Sequence, residues 1–192
     1  MRALLLSAAT AASLLAGPTL GHAQAPVGPQ PTEKQLQSQF ARVQSLLTRM
    51  ADKMPADAYG FEPAAGMRTF GGGVWHAAAS NFNICSNLLG RKHPQSGTDL
   101  SAPGTGKEVL VKALADSFAF CGEFIGSLTA ERLTENRMVT LTPPNGVAMT
   151  IPVAHGGTVA NLIAHNNEMY GYLAVYLRLK GIVPPSSERP PQ

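Results

Sequence analysis

Two cysteines and five histidines are the side chains of this 192-residue sequence best suited to redox or metal chemistry. Cys85 and Cys121 fall on the inward faces of two predicted helices. They form either a disulfide bond or a pair of buried thiols that pack as small apolar side chains. Neither cysteine has a neighbouring base, so the sequence assigns no catalytic residue. Two cysteines are also too few for a four-cysteine zinc module.

His76 and His165 lie on two different predicted helices. His76 begins a polar stripe at helical spacing, whereas His165 lies on the inward stripe of the last helix. A buried imidazole either binds a metal or hydrogen bonds to another polar group, such as Asn83 or the second imidazole. Just before His76, the glycines 71–73 either offer N–H groups to an anion or only let the chain turn tightly into a helix.

Apolar residues at helical spacing predict the four helices that position these groups. The predicted segments run from Thr32 to Pro55, Val74 to Leu89, Lys107 to Leu128 and Thr158 to Lys180. Between the third and fourth, residues 137–153 contain two β-prone runs around a Pro-Asn-Gly turn. The sequence therefore predicts an all-α four-helix bundle with a long crossover between helices 3 and 4, which is either extended or carries a short β-hairpin.

The first residues have the pattern of a secretory signal peptide. Residues 1–23 combine Arg2, an apolar run and small residues at the end. Cleavage is expected after Ala23, or after Ala25 as the alternative. The mature protein would then be periplasmic or secreted, without a membrane span.

The remaining chain divides into a Pro-rich tether at 24–31, the bundle at 32–183 and a mobile tail at 184–192. The formal net charge of +3 is small and scattered. The sequence therefore predicts no nucleic-acid surface.

Three segments of the chain resemble one known family. Together they resemble the DinB-like superfamily of four-helix bundles. The segments are TFGGGVWHAAASNFNICSNLLG in the second helix, LADSFAFC in the third and VANLIAHNNEMYGYLAVYLRLKGIVPPSS in the fourth. The likeness is closest to exported members with two cysteines, and it extends from Thr32 to Ser187. It implies the bundle topology and, for many members, a metal centre.

The implied metal site consists of three histidines, one early in the second helix and two that are four residues apart in the last. His76 matches the first position and His165 the second, but Met169 stands at the third. A thioether suits Cu(I), whereas Zn²⁺ and Ni²⁺ prefer nitrogen, thiolate or carboxylate ligands. Glu168 offers a carboxylate in place of the missing imidazole. The implied cofactor is therefore a divalent metal, Zn²⁺ or Ni²⁺, or copper.

Two functions are consistent with this sequence. The first is an exported metal-binding bundle that acts on a small-molecule ligand, with the reaction unassigned. The second is a non-catalytic envelope protein for binding or stress, in which the metal site is degraded. The resemblance also implies a homodimer, although no pattern of residues marks an interface.

Overall fold

The computed structural model describes residues 32–141 and 146–188. The predicted signal peptide 1–23 and the tether 24–31 lie outside the described residues. None of the described helices is long and apolar enough to cross a membrane. The elements in chain order are α1 (Glu33–Lys53), α2 (Phe70–Leu89), α3 (Lys107–Gly126), α4 (Ala130–Thr134), β1 (Asn136–Leu141), β2 (Met149–Ala154) and α5 (His155–Leu179).

Four long helices form the predicted bundle. The helix α2 packs against α3 and α5, and α1 packs against the same two helices, so the four enclose one apolar core. Each fully buried large apolar side chain contributes about 1.5–3 kcal/mol to this packing. The fully buried aromatic side chains of the core are Phe70, Phe82, Phe118, Phe124 and Tyr176. The predicted fold class is confirmed.

The crossover between α3 and α5 was predicted to be either extended or a short β-hairpin, and the structure has the hairpin. The strands β1 and β2 pair antiparallel, with Asn136 opposite Ala154 and Leu141 opposite Met149. The last helix begins at His155 rather than at the predicted Thr158, because the chain enters it directly from β2. The hairpin therefore fixes where α5 starts.

The second helix begins at Phe70 rather than at the predicted Val74. The hydroxyl of Thr69 caps it by accepting a hydrogen bond from the Gly72 N–H at 3.0 Å, so the three glycines are helical. A Cβ atom added to Gly73 would lie 2.7 Å from Cδ2 of Leu173 in α5. The glycine run therefore permits close helix packing rather than the predicted tight turn.

A disulfide joins α2 to α3. Cys85 and Cys121 are bonded, their Cα atoms are 5.2 Å apart, and both side chains are fully buried. Of the two alternatives that the sequence leaves open, the structure has the disulfide.

Three fully buried polar side chains link α2, α3 and α5. The amide of Asn166 donates to Oδ1 of Asn81 at 2.7 Å, and the amide of Asn81 donates to the hydroxyl of Ser117 at 3.2 Å. The Ser117 hydroxyl in turn donates to the carbonyl of Leu114. Because an unpaired buried polar group costs about 1–3 kcal/mol, these bonds favour one register of the three helices over shifted ones.

The segment 184–188 of the predicted tail 184–192 packs against the bundle, and residues 189–192 lie outside the described residues. The N–H of Ser186 donates to the hydroxyl of Tyr170 at 2.8 Å, and that hydroxyl donates to the Ser186 side chain at 2.9 Å. The carboxylate of Glu188 forms an ion pair with Lys53 at the end of α1. Composition alone misses these contacts because they form between segments distant in the chain.

Removing the disulfide should lower the free energy of unfolding. The double substitution Cys85→Ala/Cys121→Ala is expected to cost about 3–4 kcal/mol, because the bond closes a long loop in the unfolded chain. Urea unfolding followed by circular dichroism measures the loss. The matched control is the wild-type protein in reductant, which keeps both sulfur atoms and loses only the bond. Equal unfolding midpoints for oxidised and reduced wild type would contradict this prediction.

Filling the space beside Gly73 should destabilise the bundle. We expect Gly73→Ala to lower the free energy of unfolding by about 1–3 kcal/mol, because the new methyl group displaces the buried Leu173. Gly122 in α3 is the matched control, since a Cβ there meets no atom within 4 Å. The substitution Gly122→Ala should raise stability by about 0.5–1 kcal/mol. If both variants gain stability in urea unfolding, the close contact between Gly73 and Leu173 would be contradicted.

Candidate functional site

The structure brings His76 of α2 and His165 of α5 into contact. The centroids of the two imidazole rings are 5.3 Å apart, and the ring planes meet at 78° in an edge-to-face arrangement. The two helices run antiparallel. Gly73, near the start of α2, lies beside Leu173, near the end of α5, whereas Asn81, later in α2, bonds to Asn166, earlier in α5. Helix packing thus joins two imidazoles from distant parts of the sequence.

His165 has an unsatisfied nitrogen inside the protein. Its Nε2 atom is buried and has no hydrogen-bond partner among the residues that the structure describes. Its other nitrogen, Nδ1, lies 3.7 Å from Oε2 of Glu168. A buried nitrogen without a partner costs about 1–3 kcal/mol, so a hydrogen-bond donor or a metal ion at Nε2 would stabilise this arrangement.

The imidazole of His76 is held in its neutral form. Burial lowers the pKa of His76, and the positive charges of Arg68 and of protonated His165 lower it further, while the carboxylate of Glu168 opposes them. A histidine whose pKa lies below the usual 6.5 is mostly neutral at pH 7. Only a neutral imidazole offers a lone pair to a metal ion, so His76 is suited to act as a ligand without losing a proton.

Glu168 lies beside the pair at its solvent side. Its side chain is 77% exposed, and its carboxylate approaches Nδ1 of His165 rather than the buried Nε2. At 3.7 Å the two atoms are not hydrogen bonded, so the contact is an ion pair only when His165 is protonated. The geometry therefore places Glu168 as a partner of the histidine rather than as a third group at Nε2.

Met169 is 5% exposed and belongs to the apolar core. It follows His165 by one helical turn, so the two side chains lie on the same side of α5. The flexible thioether fills irregular space in a core, which accounts for its burial. Within residues 32–141 and 146–188, no group of three or more His, Cys, Asp or Glu side chains is arranged to hold a metal ion.

Two other histidines lie apart from this pair. His155, the first residue of α5, is buried against the ring of Phe124, and its Nδ1 lies 3.2 Å from the carbonyl oxygen of Arg132. His93 stacks on Phe82 with ring centroids 5.0 Å apart. His155 Nδ1 also lies 3.4 Å from Oε2 of Glu135, and the buried Nδ1 of His93, like Nε2 of His165, has no hydrogen-bond partner among the described residues. What distinguishes His165 from His93 is its contact with a second imidazole.

Each imidazole of the pair lines a different surface cavity. His76 lines a cavity of about 550 Å³ together with Arg68 and Trp75. His165 lines another of about 370 Å³ together with Asn161 and other polar groups of α2 and α5. Small molecules in either cavity would reach one of the two rings.

No sequence pattern points to Arg68, and the helical spacing predicts Trp75 only as a core residue. Arg68 lies in an irregular segment, where periodicity carries no information. One local feature of the sequence could have drawn attention to Arg68. It directly precedes the N-cap Thr69, so it lies close to the first turn of the helix that carries His76. Trp75 is largely buried, yet one side of it borders the cavity.

Comparison with known proteins identifies the family. A family model described as the DinB superfamily matches residues 39–173. A DinB-like protein from Bacillus cereus ATCC 10987 has a similar structure, with a TM-score of 0.62 at 19% identity over 80% of this chain and 96% of that one. No curated protein matches the chain.

Two further solved structures have the same fold. A DinB-like protein from Bacillus subtilis has a TM-score of 0.57 at 23% identity, covering 81% of this chain and 99% of that one. A conserved protein from Enterococcus faecalis has a TM-score of 0.60 at 16% identity, covering 79% and 98%. Because the family match spans more than half of the sequence and the solved structures share its fold, the chain belongs to the DinB superfamily.

Proposed function

We propose that this protein is an exported bundle that binds a transition-metal ion through His76 and His165. The observation that carries this proposal is the buried Nε2 of His165, which has no partner among the described residues and belongs to a ring in contact with His76. Neither a disulfide nor a packing role accounts for that nitrogen.

The separation of the rings fits a shared ion. Imidazole nitrogens bind Zn²⁺ at about 2.0–2.1 Å, so two imidazoles on one tetrahedral ion have centroids roughly 5 Å apart. The observed separation of His76 and His165 is 5.3 Å. The lowered pKa of His76 adds to this fit, because the ring need not release a proton on binding.

Glu168 has an orienting role in this proposal. A ligating histidine usually donates its second N–H to a carboxylate, and a rotation of the exposed Glu168 side chain, whose Oε2 is 3.7 Å from that nitrogen of His165, would form this bond. A metal bound by two imidazoles would supply Lewis-acid activation of a small molecule, and the reaction itself stays unassigned.

The identity of the metal depends on Met169. Two neutral imidazoles alone suit Zn²⁺ or Ni²⁺, whereas participation of the thioether would favour Cu(I). Met169 is buried in the apolar core, and core packing accounts for its position without a metal. We therefore infer a two-histidine site for a divalent ion, with copper as the alternative that a sulfur ligand would select.

One observation favours the second function, a non-catalytic envelope protein for binding or stress. The described residues contain no set of three strong metal ligands. A site with two ligands holds metal less tightly than a complete one, and a degraded site would hold none. The homodimer implied by the family resemblance stays a prediction.

Export is the remaining part of the proposal. The buried disulfide supports it, because disulfides form and persist in oxidising compartments such as the periplasm. The amino-terminal pattern of Arg2 and an apolar run provides the second argument.

The mature protein should begin just after the predicted signal peptide. When the full chain is produced in a bacterium with a periplasm, we expect an oxidised periplasmic species that starts at Gln24, or at Pro26 if cleavage follows Ala25. Intact mass and cell fractionation measure this. The control Leu14→Arg interrupts the apolar run and should leave an uncleaved cytoplasmic chain. An uncleaved wild-type chain in the cytoplasm would refute export.

Metal binding should require both histidines. Purified wild-type protein titrated separately with Zn²⁺, Ni²⁺ and Cu(I) against a competing chelator should bind about one ion. His76→Ala and His165→Ala should each weaken binding more than about 100-fold, since loss of an outer-shell partner alone costs 10–100-fold. His93→Ala, which removes a histidine outside the pair, is the matched control. The proposal fails if wild type binds no metal, and the second function then stands.

The same titrations on Met169→Leu show whether sulfur takes part. Leucine conserves the volume of the core and removes only the thioether. Unchanged affinity for Zn²⁺ or Ni²⁺ agrees with the two-histidine site, whereas a selective loss of Cu(I) binding would identify copper as the metal.

A further inference from the structure

The cavity beside His76 has an apolar wall and a positively charged edge. Its volume is about 550 Å³, which is large enough for a small organic molecule. Its apolar lining includes Trp75, Ala79 and Pro103, and its charged lining residues are Arg68 and Glu62. This combination suits a molecule with an apolar body and one anionic group.

Arg68 is positioned by its backbone and has a free guanidinium. Its carbonyl oxygen accepts a hydrogen bond from the hydroxyl of Tyr176 at 2.8 Å, which ties the residue to α5. Its guanidinium makes no hydrogen bond or ion pair with any residue in the described ranges. Arginine pairs with a carboxylate through two parallel hydrogen bonds, so this side chain offers a complete binding group to a ligand.

The first turn of α2 offers no competing donors. The N–H groups of Phe70 and Gly71 donate to the carbonyl oxygens of Phe61 and Tyr59 at 3.0 and 2.8 Å. Those of Gly72 and Gly73 donate to the side chain and carbonyl of Thr69. All four donors are therefore used within the protein, contrary to the anion site that the glycine run suggested, and recognition of an anion falls to Arg68.

The apolar wall of the cavity is held in place by Asp99. Its Oδ1 accepts hydrogen bonds from the indole N–H of Trp75 at 3.1 Å and from the backbone N–H of Ser101 at 2.9 Å. These bonds fasten the loop that contains Pro103 to the tryptophan. The apolar wall is thus preformed, which reduces the ordering cost of binding.

The charge of the cavity limits the anion to a single negative charge. Glu62 lines the same cavity as Arg68. The carboxylate of Glu62 repels a dianion such as phosphate more strongly than a monocarboxylate, so the smaller anionic charge is favoured beside the guanidinium.

We propose that this cavity binds a small organic monocarboxylate, with its carboxylate on Arg68 and its apolar body along Trp75 beside His76. Binding to Arg68 requires no metal. Contact between the bound carboxylate and a metal on His76 would in addition require the metal function proposed above.

Trp75 is the only tryptophan in the sequence, so its fluorescence reports on this cavity. The experiment titrates cyclohexanecarboxylate into chelator-treated, metal-free protein, and compares it with the neutral amide, cyclohexanecarboxamide. We expect saturable binding of the acid, with an affinity at least about tenfold above that of the amide, because a hydrogen bond to a charged group is lost with the amide. Inorganic phosphate should bind more weakly than the acid.

Substitution of Arg68 provides the second measurement. Arg68→Gln should weaken binding of the acid about tenfold or more, and Arg68→Lys should retain an intermediate affinity because it keeps the charge without the planar fork. The matched control is Arg42→Gln, which removes an exposed arginine of α1 outside the cavity. Circular dichroism verifies that each variant is folded.

Equal affinities of acid and amide, or of wild type and Arg68→Gln, would overturn this inference, as would tighter binding of phosphate. These results are independent of the metal titrations because the protein is metal-free. Carboxylate binding without any metal binding would leave Arg68 as the binding residue and refute only the proposed metal function. Metal binding without carboxylate binding would support the proposed metal function and refute only the carboxylate site at Arg68.

Discussion

The close approach of α2 to α5 is the constraint on which the candidate site depends. At one point it is permitted by Gly73, which has no side chain to keep Leu173 away. At another it is fixed by the hydrogen bond between the buried amides of Asn166 and Asn81. An apolar interface alone tolerates sliding by a helical turn, but a buried amide pair loses its partner when the register shifts. These two contacts therefore determine that the imidazoles meet.

The same packing controls the electrostatics of the site. Burial and the nearby guanidinium of Arg68 both disfavour a proton on His76. Burial first, and Arg68 second, keep the imidazole available as a ligand, while the guanidinium of Arg68, beside the cavity, remains unpaired among the described residues. A metal ion on His76 would be repelled by Arg68, and an anion bound to Arg68 would offset that repulsion. Metal binding and carboxylate binding in this pair of neighbouring sites would therefore favour each other.

Covalent and ionic links hold the framework around this interface. The disulfide joins α2 to α3 on one side, and the segment that ends at Glu188 connects α5 to α1 on the other. The disulfide acts mainly by limiting the unfolded chain, whereas an exposed ion pair such as that of Glu188 with Lys53 contributes little by itself. Most of the stability of the bundle therefore comes from its apolar core.

The sequence by itself determined the helices, the hairpin-prone crossover and the family, because apolar spacing, caps and turn residues are local features. It placed His76 and His165 as the residues of interest through the family resemblance. Only the tertiary structure decided that the glycines 71–73 lie inside a helix, that Cys85 and Cys121 are bonded, and that Glu168 faces Nδ1 of its histidine. It also revealed Arg68 at a cavity. These features depend on distances between segments that are far apart in the chain, and such distances are set by how side chains pack rather than by the order of residues within one helix.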